Sequence, residues 1–193
     1  MRNVAIVTDS SATLPADVIE QHQIFVVPQL VHIDGQTYRD GVDMTPSDVY
    51  RYMANTSNGQ LPTTSAPSTD SLLRAYMQAA QEAENILSIH TSAELSATYQ
   101  VACLTRDLID VPVHVLDSQT AAMCCGFAAL EAARMAESGP YIGAGDPARP
   151  AGSGSIPLPA TLGSNGLSPS RRTRAGHRGA RWLCAQTLSD HYD

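Results

Sequence analysis

Short apolar runs alternate with amphipathic stretches along the first 139 residues. Residues 3–8 (NVAIVT), 85–90 (NILSIH) and 112–116 (PVHVL) are too short for helices. Being nearly continuously apolar, they predict strands buried on both faces, as in a parallel sheet. Residues 24–33 (IFVVPQLVHI) form a further strand region, interrupted by Pro28, and Asp34-Gly35 predicts a turn into residues 36–39. Helices are expected between these runs. One follows Leu14-Pro15 to about residue 21. The next has Thr45 as cap, Pro46 in first position and Asp48 near the positive end, and runs to about residue 55. Ser68 caps another to about residue 83, residues 95–108 carry Leu95, Tyr99, Ala102 and Arg106 at helical spacing, and Ser118 caps an Ala-rich helix to about residue 137. This alternation predicts an α/β domain with a largely parallel sheet and flanking helices. In such sheets ligand sites lie at the carboxyl ends of the strands.

The pattern stops near Gly139. Residues 1–139 hold 6 Arg against 16 Asp and Glu, a net −10, while residues 140–193 hold 6 Arg against 3 Asp, a net +3. The second part also carries 8 of the 13 Gly and 6 of the 12 Pro, with no useful helical or strand period. It is expected to be a disordered tail, unable to bury enough apolar surface to offset its ordering entropy. The chain has no lysine. That suggests a GC-rich coding sequence, and such a gene translated out of frame yields this Arg/Pro/Gly/Ser/Ala composition, so a frameshift at Gly139-Pro140 is a further reading of the tail. The stretch RRTRAGHRGAR lacks interleaved aromatics and follows an acidic body, which argues against nucleic acid as partner.

At 43% hydrophobic, 16% charged and net −7, the whole composition suits a soluble globular protein. No run of about 18 apolar residues exists, so no stable membrane insertion is expected, and the cytoplasm is the default compartment. Cys103, Cys124, Cys125 and Cys184 form no CxxC, so neither a disulfide framework nor a zinc site is expected. No metal or other cofactor is implied.

The candidate chemistry lies in hydroxyl-rich strand ends. The first strand ends in Thr8-Asp9-Ser10-Ser11, the third in Thr91-Ser92 with Ser96 and Thr98 beyond, and the fourth in Asp117-Ser118; the loop Pro62-Thr63-Thr64-Ser65-Ala66-Pro67-Ser68 adds more. These groups suit a catalytic serine, helix caps, or a cradle for an acidic group. A catalytic serine needs a base within reach. His90, at a strand end, and His114, mid-strand, are candidates by type alone. Asp9, Ser10, Asp117 and Ser118 suit loop shaping through backbone N–H groups.

The segments VTDSSATLP, VVPQLV, YRDGVD, PTTSAPS, LSIHTSAELSATYQ and HVLDSQTAAMCCG resemble, in order and spacing, the DegV family, which includes the fatty-acid-binding subunit of bacterial fatty acid kinase. The resemblance covers residues 3 to about 139, the family's first domain. It implies a carrier rather than an enzyme. Such a carrier holds a long-chain fatty acid in an apolar tunnel and presents its carboxylate to a separate ATP-dependent kinase subunit. Motif matching assigns the head-group contacts to Thr64, Ser65, Ser92 and Ser96, with Asp9 and Ser10 at the first strand end; Ala97 stands where the family commonly has Gly. Neutral hydroxyl donors match a carboxylate without a permanent ion pair. The family's second domain, which completes the tunnel, has no counterpart after Gly139, so the carrier is expected to be impaired. A nonfunctional truncated product and a small serine hydrolase or phosphate-binding enzyme stay open as alternatives, the last without a Gly-rich phosphate loop or a clear triad.

Overall fold

The computed structural model describes residues 2–56 and 61–138. The expectations for residues 140–193 lie outside the described residues. Four strands, β1 (Arg2–Asp9), β2 (Phe25–Val27), β6 (Ala83–His90) and β7 (Val113–Asp117), form a parallel sheet in the order β2-β1-β6-β7. The α/β architecture expected from the alternating pattern is the one observed. Both faces of this sheet are covered, which is why its strands read as continuous apolar runs. Ala5, Val7 and Ile86 pack with Leu72, Ala75, Tyr76 and Ala79 of α3 (Thr69–Ala80). Ile6, Leu87 and Ile89 pack on the other face with Cys125, Ala129 and Ala133 of α5 (Met123–Glu137). The period-2 alternation within β1 and β6 thus assigns each side chain to one helix layer.

The region around residues 24–33 is two strands rather than one. β2 ends at Val27, and β3 (Leu30–Ile33) belongs to a second, antiparallel sheet with β4 (Gln36–Arg39) and β5 (Thr63–Ser65) in the order β4-β3-β5. Pro28 has no N–H for a ladder, so the chain leaves the parallel sheet there. The expected turn closes β3 onto β4 with positive φ at Asp34 (49°) and Gly35 (77°), the requirement of a type I′ turn. Residues 63–65, read from the sequence as loop, pair with β3 over three residues.

Helix starts follow capping chemistry where a cap exists. At α2 (Pro46–Asn55) the Thr45 hydroxyl accepts from Asp48 N–H at 3.3 Å and Asp48 Oδ2 accepts from Thr45 N–H at 3.0 Å, the reciprocal capping box. Ser68 accepts from Ser71 N–H at 3.2 Å to open α3. Two expected starts are corrected. The helix expected from residue 95 begins at Thr98 (α4, Thr98–Thr105), because residues 92–96 form a turn on the Ser92 carbonyl. Ser118 does not cap the last helix. It accepts instead from Thr120 N–H at 3.3 Å, and α5 starts at Met123 after Ala122 at φ 52°. α1 (Ala16–Gln21) ends where expected. Cys103 and Cys125 are free thiols.

Candidate functional site

The ends of β1, β6 and β7 meet at the carboxyl edge of the parallel sheet, where the hydroxyl-rich segments were expected to gather. Backbone bonds join their loops: Ser118 N–H donates to the His90 carbonyl at 3.0 Å, and Ser92 N–H to the Thr120 carbonyl at 2.8 Å. Asp117 Oδ1 accepts from Gln119 N–H at 2.8 Å and Ala93 N–H at 3.3 Å, so it shapes both loops. The Ser10 hydroxyl accepts from Gln29 N–H at 3.0 Å, tying the first loop to the start of β3.

Beneath this edge lies a sealed polar chain. Asp9, Ser88, His90 and Tyr76 are all completely buried. Tyr76 donates to Ser88 Oγ at 3.0 Å, Ser88 Oγ meets His90 Nε2 at 2.7 Å, and His90 Nδ1 meets Asp9 Oδ2 at 2.9 Å. Every contact is satisfied if the ring hydrogen sits on Nδ1 and Ser88 donates to Nε2. Burial pushes the Tyr76 phenol up to about 12, which keeps it a donor. Burial also acts to raise the Asp9 carboxyl, but the His90 bond and charge, with Ser11 and Gln29, outweigh it and hold the group below its ordinary value. The order Ser88–His90–Asp9 is that of an activated nucleophile, yet Ser88 has no exposed surface from which to reach a substrate. His90 therefore serves the fold. His114 is exposed on β7.

The antiparallel sheet, tied to this edge through Gln29, lines with α2 an open groove of about 370 Å³. Its wall is Val31 of β3, Pro46, Val49, Tyr50 and Met53 of α2, and Leu61 and Pro62 leading into β5; Thr64 and Asp40 supply its polar groups. Among the described residues, none that lines the groove is cationic. Register explains the set. Thr64 pairs with Val31, so the two share a face, while Ser65 lies on the opposite face. There the Ser65 hydroxyl meets His32 Nε2 at 2.9 Å. Val31 lies two residues past Gln29, roughly 7 Å along an extended strand, so Thr64 sits close to the carboxyl edge.

The four residues matched to the head group thus have different settings. Thr64 is in the groove, and Ser65 is turned away from it and bonded to His32. Ser92 is 6% exposed and accepts from Glu94 N–H at 3.2 Å; its own proton has no acceptor among the described residues. Ser96 accepts from Thr98 N–H at 3.2 Å and its oxygen lies 2.8 Å from Thr98 Oγ1, a turn that leads into α4. Sequence reasoning missed Gln29 and Asp40. Both lie inside recognised segments, VVPQLV and YRDGVD, but only the pairing of β3 with β4 brings them together. Among the described residues, no cluster of His, Cys, Asp and Glu is placed to hold a metal ion, and no helix is long and apolar enough to cross a membrane.

An α/β domain with a hydroxyl-rich sheet edge and an apolar groove among its described residues has the features of a small-molecule binding module. Residues 3–144 match the DegV family, described as "Uncharacterised protein, DegV family". A DegV domain-containing protein of Caldanaerobacter subterraneus is 35% identical over 140 residues, covering 72% of this chain and 49% of that protein. Among solved structures, a DegV family protein of Thermus thermophilus, described for its fatty acid binding, superposes with a TM-score of 0.66 at 36% identity, covering 74% of this chain and 50% of that one. DegV of Bacillus subtilis, described as a fatty acid binding protein, gives 0.67 at 32% identity, covering 72% and 49%. The chain belongs to the DegV family, and it spans about half the length of the relatives it matches.

Proposed function

We propose that this chain binds a long-chain fatty acid, with the tail in the groove and the carboxylate at the hydroxyls of Thr64 and Ser92. The observation that carries this reading is an apolar groove with Thr64 as its hydroxyl and no cation among its described lining residues; Ser92 adds a hydroxyl whose proton has no acceptor among the described residues. Fatty acid binding by DegV structures that share a third of its residues supports it. Its volume falls within the roughly 300–1,000 Å³ of small-molecule sites.

Magnitudes divide the labour. About 15 methylenes contribute roughly 12 kcal/mol of gross burial at ~0.8 kcal/mol each, before the costs of association. One hydrogen bond to a charged group contributes about 1.5–3 kcal/mol. The tail therefore supplies affinity, and the hydroxyls decide which end faces out. Ser65 and Ser96 act one step back, through His32 and through the entry to α4, and Asp9, Ser10, Asp117 and Ser118 hold the loops. On this reading the chain is a carrier and not an enzyme. A separate ATP-dependent kinase subunit in the cytoplasm phosphorylates the presented carboxylate to an acyl phosphate. Hydroxyl donors release that product because they hold no permanent charge against it.

Native mass spectrometry of the purified 193-residue chain, with lipid extraction of the same sample, tests the proposal. A fatty acid recovered near one per chain is expected. A folded chain that stays empty after incubation with palmitate and oleate overturns it.

A further inference from the structure

Resting on the carrier reading above, we infer that Gln29 is a positioning residue that sets the head-group cradle by bolting the groove sheet to the edge of the parallel sheet. The two candidate head-group hydroxyls belong to different parts of the fold: Thr64 to β5, and Ser92 to the loop after β6. Among the described residues, no side-chain hydrogen bond links the two hydroxyls. Gln29 sits between β2 and β3, where the chain passes from one sheet to the next, and it has polar contacts on both sides. Its side-chain Nε2 donates to Asp9 Oδ1 at 3.0 Å, and its N–H donates to Ser10 Oγ at 3.0 Å. Its carbonyl accepts from Asp40 N–H at 2.9 Å, and Asp40 lines the groove.

From Gln29 the link runs both ways. Outward, Leu30 pairs with Ser65 and Val31 with Thr64, so a tilt or slide of β3 carries Thr64 with it. Inward, Asp9 Oδ2 meets His90 and accepts from Thr91 N–H at 3.4 Å, and Thr91 directly precedes Ser92. A carboxylate bound by both hydroxyls needs them a few ångströms apart, and hydrogen bonds weaken steeply with misplacement. Pro28 has no N–H, so the preceding residue adds no donor to this junction. The Gln29 side chain donates to Asp9 and to neither hydroxyl, so its effect on a ligand runs through their relative placement.

The test compares a long-chain fatty acid with its methyl ester, which has the same tail and no charge, on the 193-residue chain. Wild type is expected to prefer the acid. Gln29→Met, similar in length but without the donor, is expected to bind the ester unchanged and to lose about tenfold of its acid preference, the effect of roughly one charge-assisted hydrogen bond. Gln29→Lys, whose ammonium reaches the same Asp9 oxygen, is expected to keep the preference. A folded Gln29→Met chain with the full wild-type preference overturns the inference, as does an equal loss for acid and ester, which signals a general structural defect. If Gln29→Met does not fold, Ser10→Ala cuts the same junction at its backbone tether under the same expectation, and full acid preference there overturns it. A wild-type chain that binds neither ligand overturns the carrier reading itself, and the role of Gln29 with it.

Discussion

Asp9 collects hydrogen bonds from His90, Ser11, Gln29 and the Thr91 backbone without any exposed surface. Asp9→Ala leaves several of these donors without partners at once and is expected to destabilise the domain by about 3 kcal/mol or more, measured by urea denaturation at pH 7. The sign of its pH dependence follows from the lowered carboxyl. The stabilisation is complete above the unfolded value of about 3.8 and is lost as the pH falls through the native value. The gap between wild type and Asp9→Ala therefore narrows below pH 4, and a gap that stays constant down to pH 2 refutes this account. On the proposed carrier reading, Thr64→Ala is expected to act differently, with extracted fatty acid close to wild-type amounts and phosphorylation by a kinase partner reduced; equal uptake with equal phosphorylation counts against its head-group role. Much at this scale was legible. Hydroxyls at strand ends can be counted in the sequence, and period 2 puts Ser88 and His90 on one face. The partner of His90 lies 81 positions away in the chain, so Asp9 reads as a loop residue until β1 and β6 are paired.

The helices and strands that carry their own chemistry were legible, and those defined by their neighbours were not. Thr45 with Pro46 and Asp48, and Ser68 ahead of Leu72, Ala75, Tyr76 and Ala79, announce α2 and α3 locally. β5 is three exposed residues with no apolar alternation, and only its pairing with β3 makes it a strand. The start of α5 was misplaced because Ser118 suits a cap by type, while Ala122, at φ 52° and ψ −141°, occupies a conformation unusual for any residue with a side chain. Gly126 shows why α5 needs its glycine: a Cβ there would lie 2.4 Å from the Ala12 backbone carbonyl oxygen. Gly126→Ala is therefore expected to destabilise by about 1–3 kcal/mol despite alanine's better helix propensity, as a melting temperature lowered by several degrees. Thr45→Ala, which removes half of the capping box, is expected to cost about 1 kcal/mol by the same assay.

At the scale of the whole molecule, the described residues form two sheets of unequal support. The parallel sheet has a helix layer on each face and holds most of the buried side chains. The antiparallel sheet shares its groove with α2, a helix with no buried residue, and the rim is open: Tyr50 is 71% exposed, Leu61 67% and Met53 42%. The parallel sheet was legible because its burial is written into continuous apolar runs. The second sheet was not, because a half-exposed ribbon carries no such run, and a proline marks its beginning as well as it would mark a loop. An unburied α2 has a consequence for local stability. Regions with few apolar contacts open by themselves, far below the cost of global unfolding. Amide hydrogens of β3, β4 and α2 are thus expected to exchange with deuterium well before those of β1 and β6, and a fatty acid lying in the groove slows that early set while leaving the late set unchanged. On the proposed reading, the ligand completes the wall that contains it.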